Sequence, residues 1–160
     1  MATPGRCPSD TMVTDLPAYR IDPVVPEFDD SQPLIVFDGD CVLCSRSMRL
    51  ILRLDRTARF RLAPAQGPIG QGLYRHLGLP TDQFETYLLI ADGQIYQRST
   101  AVVEIAKRLP WPWRIGAALW IIPRPIRDGL YSLIARHRYR IFGRVEACGI
   151  SDERLRERML

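Results

Sequence analysis

The sequence predicts an α/β domain in which a small, partly parallel sheet is flanked by helices, with further helices toward the C-terminus. Three observations carry that expectation. Residues 34–37, Leu-Ile-Val-Phe, form a continuous apolar run of the kind found in strands buried on both faces. Asp92-Gly93 separates two strand-like runs and supplies the positive φ values that a tight hairpin requires. The other segments repeat apolar residues at helical spacing, so the order strand, helix, strand, helix, hairpin, helix emerges.

Each element has a local reason. Residues 1–33 hold Pro4, Pro8, Pro17, Pro23, Pro26 and Pro33 and two arginines against six acids, with no period, so they read as a flexible acidic lead-in with order beginning at Leu34. After the first strand, Asp38-Gly39-Asp40 breaks the run. From Cys41 to Arg56, Met48, Ile51, Leu52 and Leu54 recur as on a helix face. Residues 59–63 alternate polar and apolar, and Pro64 closes them as a second strand. Gly67, Pro68, Gly70 and Gly72 suggest a loop, then a short helix to Leu77 ended by Gly78. The hairpin runs 86–90 and 94–96. Ser99 or Thr100 is the expected cap of a helix carrying Val102, Val103, Ile105, Ala106 and Leu109, which Pro110 ends. Two more helical stretches, about 114–122 and 126–138, flank Pro123-Arg124-Pro125. Residues 34–148 are thus the expected domain, and 149–160 a charged tail able to form a frayed helix.

Composition narrows the function. A chain of 160 residues, 46% apolar and 25% charged, suits one globular domain. Four cysteines are too few for a disulfide scaffold. Residues 1–20 lack a basic start followed by an apolar core, which makes the cytoplasm the default compartment. The most apolar stretch, Ile115 to Ile122, is far shorter than the roughly 20 residues of a membrane-spanning helix. Residues 34–160 carry 20 basic and 12 acidic groups, and of the chain's 22 basic residues only Lys107 is lysine. That excess favours anionic partners. No interleaved aromatic pattern accompanies it, so nucleic acid is not an expected partner.

The chemistry lies in Cys41-Val42-Leu43-Cys44, directly after a predicted strand and at the first turn of a predicted helix. Backbone N–H groups at a helix start stabilise a thiolate, which lowers the Cys41 pKa from about 8.5. Residues three apart share a helix face, so Cys44 reaches Cys41 and can resolve a mixed disulfide formed there. Asp38 and Asp40 oppose the effect by like-charge repulsion. One of them is a candidate proton acceptor for Cys44, and Asp40 is equally a candidate helix cap. Arg46, Arg49 and Arg53 on the same helix either offset these acids or simply face solvent.

Asp38-Gly39-Asp40-Cys41-Val42-Leu43-Cys44 behind an apolar strand resembles the motif of the DCC family of predicted thiol-disulfide oxidoreductases, named for D-x-x-C-x-x-C. Residues 96–101, the Trp-rich segment 109–113 and residues 131–143, including Arg138-Tyr139-Arg140-Ile141-Phe142-Gly143, are similar to later blocks of that family. The resemblance implies a thioredoxin-like fold, Cys41 as nucleophile, Cys44 as resolving thiol and Asp38 as the motif's acid. It implies a disulfide or dithiol substrate, protein or small molecule, an unidentified reductant, and no cofactor. Redoxins of the wider superfamily carry a cis-proline before the strand facing the cysteines, whereas the corresponding stretch here, Phe84-Glu85-Thr86-Tyr87, has no proline.

Three rival readings use the same residues. Cys41, Cys44, Cys148 and His76 or His137 would make a four-ligand zinc centre, but no second C-x-x-C exists, and Cys148 reads better as a buried or auxiliary thiol and Cys7 as incidental. Asp38-Gly39-Asp40 also resembles the aspartate motif of haloacid-dehalogenase phosphatases, which needs a downstream lysine and an acidic pair; only Lys107 is present. A non-catalytic module would expose Trp111, Trp113 and Trp120 with Ile121, Ile122 and Ile126; helical packing predicts instead that these residues are buried against the sheet.

Overall fold

The structure, a computed structural model, describes residues 17–144 and 153–160. Strand β1 (Leu34–Phe37) lies at the centre of a four-stranded mixed sheet of order β2-β1-β3-β4. It pairs in parallel with β2 (Arg61–Pro64) and antiparallel with β3 (Leu88–Ala91), and β3 pairs antiparallel with β4 (Gln94–Gln97). Asp92 and Gly93 both adopt positive φ, so the expected tight turn closes the hairpin. This is the predicted mixed sheet flanked by helices, consistent with a thioredoxin-like fold.

Alternation along the strands divides the core into two layers. Ile35, Phe37, Leu62 and Leu89 enter one layer with Cys41, Cys44 and Met48 of the segment that begins helix α2 (Val42–Leu54) and with Ala101 and Ile105 of α4 (Arg98–Arg108). Leu34, Val36, Ala63, Leu88 and Ile90 enter the other, with Leu73 and Tyr74 of α3 (Pro68–His76). All four β1 residues are buried, as a run without polar alternation requires.

Several expectations need correction. The lead-in was expected to be flexible up to Leu34, yet residues 17–33 pack on the domain: α1 (Ala18–Ile21) places Tyr19 in the core, and Val25 joins it. Gly72 permits this, because a Cβ there would lie 2.7 Å from the carbonyl oxygen of Val24. At the other end, α6 (Glu153–Arg156) buries Leu155, and Met159 bridges Leu62 on the outer edge of β2, so this part of the charged tail belongs to the core. Helix α4 begins at Arg98 rather than after a Ser or Thr cap. Ser99 lies inside it, bonded to Asp128 and accepting from Arg127 Nε at 2.8 Å.

The largest difference concerns the C-terminal helices. A 3-10 helix (Trp113–Ile121) runs along α4, and the 19-residue α5 (Arg124–Phe142) follows, taking in Arg124 and Pro125 as its first turn. Of the tryptophans and isoleucines expected against the sheet, Ile122 is half-buried and the others are exposed, Trp111 by 76% and Ile121 by 81%. Among the described residues no helix is long and apolar enough to cross a membrane.

Candidate dithiol site

The site forms where β1 ends. Asp38, the first residue after the strand, is buried, and Cys41 is the N-cap of α2. A side-chain acceptor at that position normally takes one of the orphan N–H groups of the first turn. Here the acceptor is sulfur: the Cys44 backbone N–H donates to Cys41 Sγ at 3.3 Å. The Cys44 thiol donates to the same sulfur. Both cysteines are free and closed to solvent, Cys41 exposed by 0% and Cys44 by 1%.

These contacts separate the two thiols electrostatically. The Cys41 pKa falls from a thiol's ordinary 9.0 to about 7, chiefly because the Cys44 thiol bonds its sulfur. Burial opposes this; the Cys44 N–H and the Arg138 charge assist, and Asp38 works against it. Cys44 is pushed far upward by that same bond and by burial, so it keeps its proton while Cys41 is charged. Tyr87 donates to the Cys44 sulfur, and burial holds the Tyr87 phenol well above its usual range. Tyr87 lies in the stretch without proline. Its backbone N–H donates to Tyr131 Oη at 2.8 Å, and that hydroxyl donates to the Glu85 carbonyl at 3.0 Å.

Asp38 ties three distant segments together. Its Oδ1 accepts from Gln66 Nε2 at 2.6 Å and from the Asp40 backbone N–H at 3.0 Å. Its Oδ2 accepts from Arg138 Nη2 at 2.8 Å and from the Tyr139 hydroxyl. Arg138 Nη2 also donates to the Phe84 carbonyl at 2.7 Å, while its buried Nε has no hydrogen-bond partner among the described residues. Burial works against the Arg138 charge, but Tyr139, Cys44 and Asp38 together hold it firmly protonated. A buried cation is therefore set beside the thiol pair and balanced by one buried carboxylate.

Of the four predicted site residues, Cys41, Cys44 and Asp38 meet. Asp40 does not cap the helix, because Cys41 occupies that position; its side chain is exposed and makes no hydrogen bond among the described residues. Arg46 and Arg53 are exposed. Arg138, Tyr139, Gln66 and Tyr87 received no individual role from the sequence. The available signal was the burial of Asp38 after a strand, which demands a cation, and the Arg-Tyr block at 138–139. His76 bonds Asp22 at 2.6 Å and His137 bonds the Leu133 carbonyl at 2.9 Å. Lys107 pairs with Glu104 at 2.6 Å at an exposed position. No group of three or more His, Cys, Asp or Glu suited to a metal occurs among the described residues; Cys7 and Cys148 lie outside them.

A mixed sheet with two adjacent cysteines at the start of the helix after its central strand defines a thioredoxin-like domain with a dithiol. The chain belongs to the DCC1-like thiol-disulfide oxidoreductase family, whose profile matches residues 35–144. It is 35% identical over 127 residues to "Uncharacterized protein YuxK" of Bacillus subtilis, covering 79% of this chain and 93% of that one. It is 31% identical over 121 residues to "DCC family protein At1g52590, chloroplastic" of Arabidopsis thaliana, covering 75% of this chain and 70% of the relative. No solved structure matches. Family membership supports a redox role and thiol substrates.

Proposed function

We propose that the protein is an enzyme of thiol-disulfide exchange, with Cys41 as nucleophile and Cys44 as resolving thiol. The observation that carries this reading is the cysteine pair at the start of α2, where the Cys44 N–H donates to Cys41 Sγ at 3.3 Å; the contact lowers the Cys41 pKa and raises that of Cys44. The Cys41 thiolate attacks one sulfur of a substrate disulfide, a Cys41–substrate disulfide forms, and the other substrate sulfur leaves as thiolate. The Cys44 proton passes to that leaving thiolate. Cys44 then attacks Cys41, closing the intramolecular disulfide and releasing the second substrate thiolate. Two electrons have moved to the substrate, and an external dithiol returns them to the cysteine pair.

Arg138 acts in this scheme as a positioning and charge-balancing residue, and Asp38 holds it in place. Asp40 enters only through its backbone N–H. Because Cys41 is closed to solvent, exchange requires the packing around it to open, and the segment that bridges it at Arg144 is one element able to move. The test is reduction of a small aromatic disulfide by dithiothreitol with the protein as catalyst. Cys41→Ser abolishes the catalysed rate, and Cys44→Ser accumulates a mixed disulfide visible by mass spectrometry. Undiminished turnover in Cys41→Ser overturns the proposal.

A further inference from the structure

Helix α5 is built with its polar side inward. Arg127, Tyr131, Ala135 and Arg138 are spaced as one helical face, and that face lies against the domain. On the opposite side, Ile126, Leu130, Leu133, Ile134 and Ile141 follow the spacing of a single stripe about 100° wide, and every one of them is exposed. Immediately before α5, Trp111, Trp113, Ile115, Trp120 and Ile121 are exposed as well. A soluble surface tolerates scattered apolar side chains; a stripe of this length continued by three tryptophans marks a face that another phase or molecule covers.

Charge identifies that phase. Residues 111–144 contain seven arginines and a single acid, Asp128, whose carboxylate is taken by Ser99. Two of the arginines, Arg127 and Arg138, turn inward, and the other five are exposed. Arg136 and Arg140 border the apolar stripe by helical spacing. A second copy of the same face would oppose these cations to themselves. Tryptophan, branched aliphatics and arginine on one face match an anionic lipid headgroup layer, where indoles settle at the interface and guanidinium groups meet lipid phosphate.

We propose that the face formed by the outer stripe of α5 and the Trp111–Ile121 segment docks reversibly on anionic membrane surfaces, lying in the headgroup layer without crossing it. The inference goes beyond the redox reading and does not depend on it. In the docked state the dithiol site lies across the diameter of α5 from the lipid, a distance of about 10 Å.

The chain's own tryptophans report on the proposal, since all three lie in the patch. With the full chain and vesicles of phosphatidylcholine and phosphatidylglycerol at 3:1, tryptophan emission shifts to the blue and the protein sediments with the lipid; pure phosphatidylcholine vesicles and about 0.5 M salt suppress both effects. Ile121→Ser/Leu133→Ser removes only exposed side chains, leaves the circular dichroism unchanged and weakens partitioning at least about tenfold. Arg136→Gln/Arg140→Gln weakens it about thirtyfold. Three results overturn the proposal: no response to anionic vesicles, binding that Ile121→Ser/Leu133→Ser leaves intact, or a dimer at micromolar concentration that this apolar variant converts to monomer.

Discussion

Helices α2 and α5 both flank the dithiol, and they present opposite sides of the same amphipathic design. Helix α2 buries Cys44 and Met48 and turns Arg46 and Arg53 outward. Helix α5 buries Arg127 and Arg138 and turns Leu130, Leu133 and Ile134 outward. The difference teaches that hydrophobic periodicity fixes that a helix has two faces but does not fix which one the domain takes. In α5 the inward choice is set by Asp38, whose buried carboxylate needs a cation that no residue near it in sequence provides.

The comparison breaks most sharply at the buried ion pair. Arg138→Met is expected to cost about 3–5 kcal/mol in urea unfolding, because Asp38 stays buried without its cation, whereas Arg53→Met on the outer side of α2 should change stability by no more than about 0.5 kcal/mol. Apolar truncation reverses the ranking. Met48→Ala should cost about 2–5 kcal/mol and Leu133→Ala about 0.5 kcal/mol or less, a difference that equal effects in the two helices would refute.

A smaller effect is expected just past the end of α5. Gly143 has φ +79 and ψ 178, a region essentially confined to glycine where a side chain is strained by about 1–3 kcal/mol, so Gly143→Val should loosen the segment that bridges Cys41. Alkylation of Cys41 at saturating thiolate then accelerates roughly tenfold; an unchanged rate would mean that residues 143–144 do not control access.

The finest test is the titration. Iodoacetamide reactivity of Cys41 should rise with a midpoint near pH 7, and Arg138→Met should move that midpoint upward by removing a positive charge and leaving Asp38. Stability follows the same group. The folded pKa lies below the unfolded one, so between about 7 and 9 the unfolded chain binds more protons at Cys41 and stability rises with pH. That contribution is complete above the unfolded value and lost as pH falls through about 7. A flat stability profile across this window in the wild type, matched by Cys41→Ser, would contradict the assignment.

What was legible in the sequence was local. The apolar run at 34–37, the Asp92-Gly93 turn and the C-x-x-C at a helix start each rest on neighbours a few residues apart, and each appears where its chemistry requires. What was not legible depends on long-range contact. Ser99 looked like a cap, but Asp128 and Arg127 claim its hydroxyl. Prolines at 23, 26 and 33 hid a segment whose order comes from Tyr19 and Val25 packing on the sheet. Asp40 looked like the cap because acids favour that position; the turn ran one residue further, and a sulfur took the role.

The clamp between Asp38 and Arg138 spans 100 residues of chain. At about 5–20 residues per second of ribosomal synthesis, both cysteines precede the guanidinium by roughly 5–20 s. During that interval Asp38 lacks the cation that the folded site later gives it, so the charge balance beside the two sulfurs is completed only after synthesis has passed residue 138.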